Sequence, residues 1–198
     1  MSTGFIITGT DTGVGKTVMA AALVAALGAR YWKPIQSGLE GETDSETVAR
    51  LAGLSHDDII GEVYRLRHPL SPHLAAEKDG LEIDLTRFAL PQLRKSPVLA
   101  TVAARAEAAV EPTTNIVTLK PRARPGLAAL PGGGVPPQRP IVVEGAGGVL
   151  VPLNRQALQV DLFDSWALPV IVVARTSLGT INHSLLTIEA LRRRNIMV

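Results

Sequence analysis

The 198 residues carry 20 Lys and Arg against 18 Asp and Glu, with 46% apolar residues and no cysteine. Without cysteine, disulfides, thiolate catalysis and Cys-ligated metals are excluded, and no apolar run reaches the roughly 20 residues that span a bilayer. Length and apolar content suit a single domain with a substantial core, and a polar N-terminus without signal-peptide character makes a cytoplasmic protein with no membrane partner the expectation.

Positive charge is unevenly placed. Residues 91–140 hold seven Lys and Arg against two Glu, whereas the remainder is net negative by three. The basic excess therefore belongs to one segment. Aromatic residues make up only 4% of the chain, too few to suggest base-stacking platforms, so no nucleic-acid partner is expected.

In chain order, Phe5–Ile7 reads as a short buried strand that breaks into a Gly-rich turn, Gly9 to Gly15, followed by Lys16, Thr17 and a helix over Val18–Leu27 stopped by Gly28. Strand, glycine loop and helix in that order is the context of a phosphate-binding loop. Its glycines let backbone N–H groups face phosphate oxygens, and the helix start adds partial positive charge. Lys16 can reach the β/γ-phosphates, and the Thr17 hydroxyl can ligate Mg²⁺. Five residues separate Gly9 from Gly15, one more than the common pattern.

Tyr31–Gly38 reads as a second strand running into a loop, with Pro34 ending the strand early or marking an edge. At a sheet's carboxyl edge, Lys33 and Ser37 would face the crevice of the phosphate loop. Thr43-Asp-Ser-Glu46 fits a capping box that starts a helix over Asp44–Leu51, with Gly53 as its stop. Asp44 then offsets the helix dipole, the plainer of its two readings, or ligates Mg²⁺, the other. Tyr64–Leu66 suits a short strand, and His68 to His73 a rigid turn with a short helix to Ala76. The two histidines match no zinc spacing and are read as structural or substrate-lining. A further short helix is expected over Asp84–Leu93.

Residues 94–140 hold eight of the fourteen prolines and Gly132-Gly-Gly134. Apart from an Ala-rich helix over Val98–Val110, the stretch reads as a poorly ordered insertion within one domain. Ile141–Val143 opens a buried strand that ends on Glu144 and Gly145-Ala-Gly-Gly148. A carboxylate there is well placed for Mg²⁺. A helix over Val160–Trp166, a buried strand over Leu168–Ala174 and a helix over Ser184–Arg194 follow, and Asn195–Val198 looks like the start of another strand. The expected class is α/β, a phosphate-loop NTPase-like fold whose mostly parallel sheet carries helices on both faces. An α/β chain that stops as a strand begins reads as C-terminally incomplete.

Taken together, Gly9–Thr17, Lys33-Pro-Ile-Gln-Ser-Gly38, Leu70–Ala76, Glu144–Gly148 and Gly179–Thr187 resemble the dethiobiotin synthetase family of ATP-dependent ligases. The resemblance covers 1–90 and 141–198 and includes the longer loop spacing. It implies carboxylation of 7,8-diaminopelargonate by CO₂, activation of the carbamate by the ATP γ-phosphoryl group as a mixed anhydride, and closure of a cyclic urea. By motif, Lys16, Lys33, Thr12 and Ser37 would be catalytic or line the carbamate site. Gly13, Val14, Gly15, Lys16, Thr17, Val18, Glu144, Gly147 and Asn182 would bind ATP, with Asn182 at the adenine edge. Thr17, Asp44 and Glu144 would hold Mg²⁺, and the family works as a homodimer. Relative to the family, the chain is expected to carry an insertion of about 45 residues at 94–140 and to lack a strand, a loop and a terminal helix, with weakened ATP affinity. Three other readings stand beside this one: a non-catalytic nucleotide-binding remnant, a deviant phosphate-loop ATPase switch, and a related amide-forming synthetase. The switch would carry a lysine early in the loop, where this chain has Thr10-Asp-Thr12.

Overall fold

The computed structural model describes residues 4–90 and 139–198. Five strands form one sheet, all paired in parallel: β1 (Gly4–Gly9), β2 (Arg30–Trp32), β4 (Ile59–Ile60), β6 (Ile141–Gly148) and β7 (Val170–Val173), in the order β4-β2-β6-β1-β7. A separate parallel pair joins β3 (Ile35–Ser37) to β5 (Tyr64–Leu66). The helices are α1 (Lys16–Leu27), α2 (Asp44–Ala52), α3 (Pro72–Lys78), α4 (Gln159–Trp166) and α5 (Thr180–Arg192).

Strand side chains alternate between two cores, because successive residues of a strand point to opposite faces. Ile7, Tyr31 and Val142 pack with Ala20, Ala21 and Val24 of α1 and Val48 and Ala52 of α2. Ile6, Trp32, Ile141 and Val143 belong to the other core, with Ala75 of α3, Phe163 and Trp166 of α4 and Leu191 of α5. Trp32 and Trp166 meet there with ring centroids 5.5 Å apart. Helices thus cover both faces of a parallel sheet, as the α/β reading requires.

Several local expectations change. β2 ends early at Trp32, as one of the two readings of Pro34 has it, but it lies inside the sheet between β4 and β6 and not at an edge. Pro34 ends it: the Pro34 carbonyl accepts from the Val63 and Tyr64 N–H groups at 2.8 and 3.1 Å, steering the chain into the second sheet. In place of a helix over Asp84–Leu93 there is one 3₁₀ turn, Leu85–Arg87. The Asp84 carboxylate caps the Thr86 N–H at 2.9 Å and favours that tight local turn, while residues beyond 90 lie outside the description. The last helix starts at Thr180, four residues early, because Gly179 takes φ 93° and serves as its N-cap. Residues 195–198 form no strand, although the Val170 N–H donates to the Met197 carbonyl at 2.8 Å. The expected Ala-rich helix over Val98–Val110, and the insertion up to residue 138, lie outside the described residues.

Candidate functional site

The chemistry gathers at the carboxyl ends of β1, β2 and β6, where parallel α/β sheets open a crevice. β1 ends in the loop leading to α1. Gly13 and Gly15 take φ of 67° and 99°, the left-handed region where glycine is at ease. Gly9 is held for a different reason, since a Cβ there would lie 2.7 Å from Val14 Cγ2 and 2.8 Å from the Asp11 carbonyl oxygen. α1 has no side-chain cap and no acidic residue in its first turn, so its first N–H groups are left for an anion. Lys16 folds back to donate to the Asp11 carbonyl at 2.9 Å. Burial first, then the charge of Lys33, lower the Lys16 pKa from its ordinary value.

The second part of the site comes from register. Tyr31 is paired with Val142 and Trp32 with Val143, so the next step along both chains sets Lys33 level with Glu144. By period two, Tyr31 and Lys33 lie on the sheet face of Val142 and Glu144, toward α1 and α2. Lys33 is 4% exposed and Glu144 1%. The Lys33 ammonium lies 3.1 Å from Glu144 Oε1 and also contacts the Asp44 carboxylate. Burial opposes the charge on Lys33, but Glu144 and Asp44 outweigh it and hold the pKa above its ordinary value. For Asp44, burial works against the carboxylate, and Lys33 with the Thr17 hydroxyl reverses that, so its pKa is lowered.

Thr17 joins the two carboxylates. Its hydroxyl lies 3.0 Å from both Asp44 Oδ1 and Glu144 Oε1. Asp44 is delivered by the predicted capping box, in which Thr43 and Glu46 exchange hydrogen bonds at the start of α2. Beneath Glu144, the Tyr31 hydroxyl donates to Oε2 at 2.8 Å. Burial, with Glu144 next, pushes the Tyr31 phenol well above its ordinary pKa, so it remains a donor.

Lys16, Thr17, Lys33, Asp44 and Glu144 line a cleft of about 800 Å³, with Tyr31 buried beneath it. Of the residues singled out from sequence, Thr12, Gly13, Gly15, Lys16, Thr17, Val18, Lys33, Ser37, Asp44, Glu144 and Gly147 all line it. The Ser37 hydroxyl is buried and has no hydrogen-bond partner among the described residues. Val14 does not line the cleft and packs toward Gly9. Asn182 is exposed in the first turn of α5 and is not among the lining residues. His68 and His73 lie outside it too; His73 borders a separate cavity of about 320 Å³ with Glu77, Asn154 and Arg155.

Sequence reasoning missed three contributors. Tyr31 read as an ordinary strand residue. Pro69–Pro72 forms part of the cleft wall. Gln159 is buried and clamps the last residues of β6, accepting from the Ala146 N–H at 2.6 Å and donating to the Gly148 carbonyl at 3.1 Å. A buried Gln at a helix start is the signal that could have found the last of these.

A hydroxyl and two carboxylates converging within hydrogen-bonding distance, beside a glycine loop and two lysines, define a phosphate-loop nucleotide-binding α/β domain. A family model described as an AAA domain matches residues 3–119 and 135–198. The ATP-dependent dethiobiotin synthetase BioD of Rhodopseudomonas palustris (strain TIE-1) is 48% identical over 196 residues, covering 99% of this chain and 72% of that protein. Those of Agrobacterium fabrum (strain C58) and Novosphingobium aromaticivorans are 48% and 46% identical, with 100% and 99% of this chain covered and 73% of each relative. The chain belongs to the dethiobiotin synthetase family, whose members are ATP-dependent ligases.

Proposed function

We propose that the cleft carboxylates 7,8-diaminopelargonate and closes its ring to dethiobiotin at the expense of ATP. One amine of the substrate attacks CO₂, a C–N bond forms and a proton leaves, giving a carbamate. A carbamate oxygen attacks the γ-phosphorus and ADP departs, leaving a carbamic-phosphoric anhydride. The second amine then attacks the carbonyl carbon, phosphate leaves and the urea ring closes. Negative charge builds up where γ-phosphate and carbamate meet, and fixed positive charge there lowers the barrier. Lys16 and Lys33 supply it, with Lys33 held charged by its two carboxylates. Thr12 and the unpartnered Ser37 hydroxyl line the carbamate side, and Gly13, Val14, Gly15 and Val18 belong to the phosphate loop. Gly147 completes the nucleotide side, and Asn182 is proposed to read the adenine edge.

The oxygen donors Thr17, Asp44 and Glu144 suit a hard cation with few protein ligands, and Mg²⁺ held there would neutralise the phosphates. Among the described residues no cluster of three His, Cys, Asp or Glu offers another metal site. A homodimer and a cytoplasmic location, with the activity in the soluble fraction of a lysate, belong to the same reading. No described helix is long and apolar enough to cross a membrane.

The observation that carries the proposal is the meeting of Lys33, Glu144, Asp44 and Thr17 in one cleft. Phosphate release from ATP, with diaminopelargonate and bicarbonate each present or withheld, tests it. Release is expected only with both, and is expected to stop on chelation of Mg²⁺. Release that ignores the diamine points instead to an ATPase switch, and ATP binding without release to a nucleotide-binding remnant.

A further inference from the structure

A glutamate can turn its carboxylate about the last torsion with little resistance, so for Glu144, midway along β6, its partners decide which oxygen faces the cleft. Thr17 and Lys33 both reach Oε1 of Glu144. Among the described residues, the one recorded hydrogen bond to Oε2 comes from the Tyr31 hydroxyl, 2.8 Å away on the core side. Tyr31 is wholly buried, held between β2 and the helices α1 and α2, and its rigid ring has no solvent-facing position to swing to.

We infer that Tyr31 is a positioning residue for the reaction: it pins Oε2 from within the sheet and so commits Oε1 to the cation and phosphates. The inference rests on the proposed role of Glu144 as a cation ligand. Groups that hold a ligand's far oxygen commonly set metal affinity by 10–100-fold on removal. The competing account is that Tyr31 only fills core volume, which phenylalanine would do as well.

Tyr31→Phe keeps the ring and deletes the donor. Mn²⁺ is titrated into the full chain in the presence of β,γ-methylene ATP and followed by electron paramagnetic resonance, for wild type, Y31F, E144Q and the double variant. Y31F is expected to weaken Mn²⁺ binding roughly tenfold, with affinity for the analogue in the absence of divalent cation within twofold of wild type. It is expected to add nothing in the E144Q background. In steady state the Mg²⁺ half-saturation should rise about tenfold while kcat at saturating Mg²⁺ changes by less than about threefold. Unchanged Mn²⁺ affinity in Y31F, or an equal loss in the E144Q background, overturns the inference.

A second measurement needs no variant at position 31. The chain has two tyrosines, so 3-fluorotyrosine labelling gives two ¹⁹F signals, assigned with Y64F. The Tyr31 signal is expected to move when Mg²⁺ joins the bound analogue; a signal that stays put overturns the inference. Both measurements omit the diamine. Cation binding that depends on Tyr31 without diamine-dependent phosphate release would keep this inference and discard the substrate assignment.

Discussion

Lys33 holds together two carboxylates that would otherwise repel. Removing one partner of a buried ion pair strands the other charge and costs about 3–5 kcal/mol. Because Asp44 is a third exposed, the lower end applies. Lys33→Met is expected to destabilise by about 3 kcal/mol and to lower kcat by roughly 10²-fold, read by thermal unfolding and the phosphate assay. The pH dependence follows from the same contacts. Asp44 has a folded pKa below 3.8, so its contribution is complete above that value and lost as pH falls through the lower folded one. Lys33 is raised above 10.5, so its contribution is complete below 10.5 and lost as pH climbs through the higher folded value. Between those limits the pair adds a constant stability. In K33M the lysine that lowers the Asp44 pKa is gone, so the acid loss of stability carried by that contact should disappear. The lysine itself was legible in sequence because a polar residue beside Pro34 at a strand end points to a crevice. Tyr31, two residues earlier, was not, since its role depends on a register between strands whose residues Tyr31 and Glu144 lie 113 positions apart.

At the scale of elements, the end of β6 after Glu144 has its shape imposed from outside. Gln159 fastens both Ala146 and Gly148, and a Cβ on Gly145 would lie 2.9 Å from both Gln159 Nε2 and Phe163 Cζ. Gln159→Leu preserves volume but abandons the Ala146 N–H and the Gly148 carbonyl, at about 1–3 kcal/mol. The melting temperature should fall by roughly 2–12 °C, at about 2–4 °C per kcal/mol for a chain of this size, with weaker ATP binding in calorimetry because Gly147 shares the displaced end of β6. A variant that melts and binds like wild type would show that the clamp does nothing. Elements with local signals were readable: the phosphate loop from its glycines and Lys16-Thr17, α2 from its capping box and Gly53. Those shaped by remote contacts were not. β4 is two residues long and forms only because Tyr31 and Trp32 lie beside it. Asp84–Leu93 has a helix-like composition, yet the Asp84 carboxylate bonds its own turn and the Asp84 N–H donates to the Tyr64 hydroxyl oxygen at 2.9 Å.

For the whole molecule, the layered α/β plan was legible because buried parallel strands read as β-branched runs and helices as capped, Ala-rich ones. The strand order was not, since it rests on pairings between distant segments. Leu178, Ile181, Leu185 and Leu186, in the last loop and on α5, leave a cluster of large apolar side chains exposed. Apolar surface of this kind favours association and supports the proposed homodimer. Sedimentation velocity at micromolar concentration is expected to give twice the chain mass of 20.9 kDa; a single-chain mass at every concentration would remove the dimer. The position of β6 has another consequence, for how the chain is made. β1 and β2 are synthesised early, yet each pairs with β6 and not with the other. A nascent chain that has not reached Ile141 therefore holds two strand edges with an empty lane between them, and Lys33 and Thr17 without Glu144. At about 5–20 residues per second it spends several seconds in that state on the ribosome, with its most apolar strands open to chaperones. Glu144 arrives on the strand that joins β1 to β2, so the second carboxylate of the cleft and the link between those two strands are made together, before β7 adds the last edge.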